Sequence, residues 1–323
     1  MNNAIETPKI GISGKILSWE VLNADGSIDQ SCYRPSDNVI TDVGLDQLAI
    51  HQSYMSYNVR YFCIGTGTTE PSATDTKLTA ETYRGECAYA TYDGTSYSTA
   101  GSDPYYIYIQ RGVQTPLGSL NNTYGEIGFS VSATSNANVF SKHRLKDENG
   151  NPTTINVSSA QQLRLKYVLV FCLSPSTITT GTINIAGIGD IDYQAKWQSV
   201  SVVGANATLP ALMCHTSYYI MVMNGLNYTF NDIGVAQAEN THKSTYPTSS
   251  HSVRTYVPGS HERYLTGFWS VDVCNTTWYG AFLNNNSYLY AANPAFLVKF
   301  LQPFVKANTH TMSFTIKTSW GRS

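Results

Sequence analysis

The chain has 323 residues, and its 20 Lys and Arg against 22 Asp and Glu leave a formal net charge of -2. Only 13% of residues are charged while 42% are apolar and 12% aromatic, Tyr leading with 23 copies, which excludes the low-hydropathy, high-charge balance of a disordered chain. No segment has the Lys/Arg density that phosphate neutralisation requires, so no nucleic-acid partner is expected.

The first element in chain order is a strand over residues 10–22, IGISGKILSWEVL, interrupted by a glycine, with a turn at NADG (23–26). DNVITDVGLDQLAIHQ then predicts a short helix capped by Thr41 or Asp42, with Val43, Leu45, Leu48 and Ala49 as its apolar stripe. VRYFCIGTG reads as a buried strand that ends in a turn. Gly65 and Gly67 are expected to permit that turn, which a larger residue would strain. A Thr- and Asp-rich ordered loop follows, then strands at 83–92 and 105–111 around an exposed loop, DGTSYSTAGSDP. Tyr89, Tyr92, Tyr97, Tyr105, Tyr106 and Tyr108 crowd this region. Strand-borne tyrosines more often pack or cover a subunit contact than stack on a sugar, which makes Tyr97 and Tyr106 interface candidates.

EIGFSVS and FSKHRL continue the strand pattern, although Lys142, His143, Arg144 and Lys146 read as a solvated connection beside Asp147 and Glu148. Asn149-Gly150 predicts a tight hairpin turn, with Pro152 keeping the next entry extended. TTINVS and QLRLKYVLVFCL are expected to pair. In the latter Leu163, Leu165, Tyr167, Leu169, Phe171 and Leu173 share one face, and Arg164 and Lys166 give way to Val168 and Val170 on the other. That strand should start exposed and end buried on both faces. Beyond SPSTITT, further strands are expected in GTINIAGIGDIDYQAKWQSV, LMCHTSYYIMVM, LTGFWSVDV and WYGAFL, with a polar insert over 238–264 and an Asn/Tyr-rich patch over 284–290. The last strand, THTMSFTIKTSWGR, places Met312, Phe314, Ile316, Thr318 and Trp320 on one face. Trp320 should anchor the terminus, and Arg322 should meet a carboxylate or carbonyl at a seam. The resulting fold class is mostly β: β-sandwich-like modules with one short N-terminal helix, divided as 1–178 and 179–323 or forming one intertwined unit.

Three patches carry a family resemblance. They are NVITDVGLDQLA with YFCIGTGTTEPSATDTKL, EIGFS with FSKHRLKDENGNPTTINVSSAQQLRLKYVL, and MSFTIKTSWGR preceded by AFLVKFLQPFVKANT. In these the chain resembles the structural proteins of tailed-bacteriophage virions labelled tail or tail-fibre proteins. The resemblance implies a component of the particle, in the tail or at its attachment to the capsid, assembled in the host cytoplasm. It implies partners among copies of the chain and other virion proteins of the tail, portal or capsid.

Candidate chemistry is sparse. The six cysteines are dispersed without a Cys-x-x-Cys pair, and Cys63 and Cys172 sit in apolar strand settings where a free thiol is an ordinary core residue. The Walker and GxGxxG patterns are missing, as is GxSxG, and His261-Glu262 lacks the second histidine of a zincin helix. His242, His251 and His261 have no ligand spacing, and nothing pairs Asp190, Asp192, Glu239 or Glu262 as glycosidase carboxylates. No enzyme, metal or cofactor is expected. The N-terminus lacks a leader pattern and no run nears about 18 apolar residues, so membrane insertion is not expected either. The leading expectation is an oligomeric structural subunit. The alternative is a tail-tip protein whose Tyr-, Asn- and His-rich loops bind a host surface glycan.

Overall fold

A computed structural model describes residues 4–50, 55–87, 92–98, 102–185, 187–197, 218–223, 252–272, 274–285, 296–309 and 311–323. The strands begin with β1 (Ala4–Glu6), β2 (Ile10–Asn23), β3 (Ile28–Cys32) and β4 (Ser36–Ile40), followed by the helix α1 (Asp42–Ile50). Next come β5 (Tyr61–Gly65), β6 (Glu81–Glu86), β7 (Gly94–Tyr97), β8 (Tyr105–Gln114), β9 (Asn122–Tyr124), β10 (Glu126–Ser130), β11 (Ser141–Arg144), β12 (Ile155–Val157) and β13 (Gln161–Leu173). The remainder are β14 (Thr179–Ile185), β15 (Gly189–Trp197), β16 (Tyr218–Met223), β17 (Ser252–Tyr256), β18 (Glu262–Trp269), β19 (Thr277–Asn285), β20 (Phe296–Val305) and β21 (Met312–Arg322). The protein is mostly β, and α1 is the one α-helix among the described residues.

Two compact units share these elements, each assembled from discontinuous segments. The first comprises Gly11–Tyr97, Ile107–Phe171 and Gly321–Ser323; the second comprises Met1–Ile10, Ser98–Tyr106 and Cys172–Trp320. In the first unit the strand order β2-β4-β11-β10-β5-β6 forms one run, while β2 also pairs with β3 and β13, and β13 continues through β8 to β7. Gly14 does not interrupt β2. A Cβ there would collide with the hydroxyl of Tyr167, whose ring stacks on Phe129 with centroids 4.0 Å apart. The α1 start follows from local chemistry: the Thr41 hydroxyl accepts the Gly44 N–H at 2.9 Å, so Thr41 is the cap and Asp42 opens the first turn. Leu45, Leu48 and Ala49 are buried below it.

In the second unit β17-β18-β21 are antiparallel neighbours and β1 joins β21 in parallel, while β14-β15-β20-β19-β16 form a five-stranded sheet. The expected inward face of β21, Met312 through Trp320, is buried at every alternate position. Trp269, Trp278 and Phe314 build an aromatic core, the two indoles edge to face at 4.9 Å. Trp197 is buried beside Phe296 and donates its indole N–H to the Pro8 carbonyl at 2.7 Å.

Several expectations need correction. TTINVS does not pair with the strand after it: β12 pairs with β9, and β13 lies between β2 and β8. Part of DGTSYSTAGSDP is not loop but the strand β7, which pairs with β8 and is tied at its entry by the Asp93 carboxylate accepting the Gly112 N–H at 2.8 Å. The Lys142–Arg144 stretch is not a solvated connection but the buried strand β11, for reasons of charge pairing given below. Cys63 is a buried core thiol as expected, whereas Cys172 is only half-buried; the five cysteines described are all free. The expected insert before residue 252, with His242, His251 and Glu239, and the patch at 286–290 lie outside the described residues.

Candidate functional site

The most unusual local chemistry lies where β5, β10 and β11 meet in the first unit. Glu126 faces Gly65 across one ladder and Arg144 across the other. Glu126, Lys142, His143 and Arg144 are all buried, an arrangement that strands tolerate only when the charges are paired or hydrogen-bonded; of their buried side-chain polar atoms Arg144 Nε alone lacks a partner among the described residues. Glu126 is 0% exposed. Its carboxylate accepts the backbone N–H of Ala80 at 2.7 Å and of Thr79 at 3.0 Å, and pairs with the Lys142 ammonium at 3.3 Å. Lys142 also meets Asp75 at 3.1 Å and donates to the Thr79 hydroxyl at 2.9 Å. Arg144 donates to the carbonyls of Gly125 and Thr153.

This cluster explains Gly65 and Gly67 differently from the expected turn. Neither is among the glycines with positive φ. A Cβ at Gly67 would strike the Glu126 carboxylate and Thr79, and one at Gly65 the Ala80 carbonyl and the same carboxylate. The glycines therefore admit Glu126, which in turn holds the end of the 66–80 loop. A second buried pair secures the neighbouring loop. Arg84 and Glu81 form a two-pronged ion pair with side chains 1% and 2% exposed, and Arg84 donates further to the carbonyls of Ser132 and Ala137. The two loops are joined where the Val139 N–H donates to the Thr76 carbonyl at 2.8 Å.

The other candidates take plain positions. Gly150 is in the left-handed region at φ 85° and donates its N–H to the Asp147 carbonyl, and the Asp147 carboxylate accepts the N–H groups of Asn149 and Asn151. Those bonds, led by the one from Asn151, hold the Asp147 carboxyl below its usual range. Arg322 reaches the Ile40 carbonyl at 2.6 Å, the Asp42 carboxylate and the Ala73 carbonyl, meeting both partner types expected of it. Trp320 is buried and stacks on Tyr256 at 5.8 Å. Tyr106 is half-buried, its backbone exchanging bonds with Ser98. Tyr97 pairs with Ile107 along β7, and its side chain is outside the described set. Arg322 joins the network of the first unit, while Tyr106 and Trp320 belong to the second.

His143, on the same strand as Lys142, is strongly altered by its surroundings. Its Nδ1 faces the Asp37 carbonyl at 3.0 Å and so carries the proton, leaving Nε2 to accept the Ser36 hydroxyl at 3.1 Å. Burial pushes its pKa down to about 4 from 6.5; Lys146 and Arg144 add to the shift, and the bond to Asp37 opposes it. An unfolded chain therefore takes up this proton near pH 6.5, whereas the fold refuses it until about pH 4. Stability is expected to fall across that window as pH drops, by about 3 kcal/mol in total. Urea unfolding at steps from pH 7 to 4 checks this, and a folded His143→Asn variant should show a flatter profile. An equally steep loss in that variant would assign it to other groups.

Both oxygens of Glu126 are engaged with backbone amides and an ammonium, so the carboxylate anchors the end of the 66–80 loop. Sequence reasoning missed Glu126, Asp75, Glu81 and Arg84. The available clue was a carboxylate at the inward phase of the otherwise apolar EIGFS, matched by a lysine in FSKHRL. The chain matches no protein-family model, no curated protein and no solved structure.

Proposed function

We propose that this chain is a non-catalytic structural component of a tailed-phage virion, an oligomeric subunit of the tail or of its attachment to the capsid. One observation carries the reading: the three patches that bear the family resemblance meet around the 66–80 loop, at a buried ion-pair cluster on one side and an exposed contact of Arg322 on the other. Asp42, Ala73 and Asp75 come from the first patch, Glu126 and Lys142 from the second, and Arg322 from the third. What the first two patches have in common is thus a buried cluster in which Glu126, Lys142 and Asp75 fix the 66–80 loop against a sheet. That is the demand made on a subunit whose work is complementary contact with its neighbours. That each unit closes its sheets face to face, as a sandwich, belongs to the same reading.

Two measurements test it. Light scattering on the purified chain over a dilution series should give a closed oligomer whose mass survives dilution, and a monomer throughout would overturn the oligomeric subunit. Mass spectrometry of gradient-purified particles should detect its peptides at stoichiometric abundance; their absence would overturn the virion assignment.

A further inference from the structure

The 66–80 loop of the first unit runs exposed over the surface and yet is held along its whole course. Its ends are fixed by the Thr66 N–H, which donates to the Ala80 carbonyl at 3.0 Å, and by Glu126 on the Thr79 and Ala80 amides. Between them the Ala73 carbonyl accepts the Asp42 N–H at 2.8 Å, Asp75 meets the buried Lys142, and the Thr76 carbonyl accepts the Val139 N–H. A turn at the centre closes on itself. The Asp75 carboxylate accepts the Ser72 N–H at 3.0 Å, and the Asp75 N–H donates to the Ser72 carbonyl at 3.1 Å. Leu78 enters the core, whereas Thr69, Glu70, Ser72, Thr74, Thr76 and Lys77 are exposed.

Ordering an exposed loop costs conformational entropy and buries little area in compensation. The ordering becomes useful when the loop meets a partner, because a surface already rigid before contact binds without that cost. The exposed side chains say which partner fits. Residues 66–80 include no aromatic ring on which a sugar could stack, and their small hydroxyls suit hydrogen bonding to a protein surface of the same kind. Glu70 and Lys77 lie on either side of the Ser72–Asp75 turn, carry opposite charges and have no ion pair among the described residues. A segment with one free charge of each sign flanking a turn is complementary to a second copy of itself running the other way, the self-matching that a two-fold contact requires.

We propose that the 66–80 loop is a contact between two copies of this chain, packed across a two-fold axis so that Glu70 of each copy faces Lys77 of the other. The contact rests on the oligomeric reading above and gives it a surface. The buried ions hold the loop in shape, and the two charges set the orientation in which the copies meet.

Light scattering on the full chain over a dilution series tests the contact by charge exchange. Glu70→Lys and Lys77→Glu should each weaken self-association by about tenfold or more, because like charges then meet across the axis. Both positions are exposed, so the far-ultraviolet circular dichroism of each variant should match that of the wild type. An equimolar mixture of the two variants should recover assembly, since every facing pair is again of opposite sign, and so should the double exchange Glu70→Lys/Lys77→Glu. An oligomer that both single variants leave unchanged overturns this contact while the oligomeric reading stands. Weakening that neither the mixture nor the double exchange recovers overturns it as well. A wild-type chain that is monomeric at every concentration overturns both.

Discussion

Glu126→Ala is expected to destabilise the first unit by about 3–5 kcal/mol, the range for removing one partner of a buried, hydrogen-bonded ion pair. The substitution strands Lys142 with only Asp75 and the Thr79 hydroxyl, and it leaves the Thr79 and Ala80 N–H groups facing a void. Glu126→Gln keeps the volume but turns a donor toward groups that are themselves donors, so it should still cost about 1–3 kcal/mol. Urea unfolding measures both. Hydrogen exchange adds a local readout, since the amides of Thr79 and Ala80 should lose protection before the β10–β5 ladder does. A loss below about 1 kcal/mol for Glu126→Ala would mean that the loop is held by its backbone contacts and not by this carboxylate.

Trp320→Ala should lower the stability of the second unit by about 3–5 kcal/mol, because it empties a large volume that the surrounding strands cannot refill. Trp320 is 2% exposed, lies on the inward face of β21 and stacks nearly parallel to Tyr256, at 16°. Its backbone N–H is bonded to the His261 carbonyl at 3.0 Å, so β21 stays in register in the variant and the loss reports side-chain packing. The melting temperature should fall by on the order of 10 °C. Trp320→Phe, which retains an aromatic plane, should recover most of it. An unchanged melting transition would remove Trp320 as the anchor of the C-terminal strand.

The elements that were legible share one property: their information is local. Alternation in β21 and in β13, where Val168 and Val170 turn the exposed face into a buried one, lies within a single run of residues. The same holds for the Thr41 cap and for the left-handed Gly150. Pairing was less legible, because β12 finds β9 across more than thirty residues and β13 finds β2 across more than a hundred. No pattern within a strand specifies its partner, as any apolar face of matching length satisfies it.

Charge shows the division most clearly. From sequence alone, Lys142-His143-Arg144 beside Asp147 and Glu148 belongs at the surface, since an isolated charge in a core costs several kcal/mol. The residue pattern was enough for the mostly β fold class, for a helix opening at Thr41 or Asp42, and for which faces of the long strands turn inward, because backbone geometry and side-chain period act over a few residues. Only the tertiary structure decided that Lys142 could be buried, that Gly65 and Gly67 had to lack a Cβ, and that Arg322 would close on Asp42. In each case the partner is remote in the chain, and the energy of the contact exists only once folding has brought the two together.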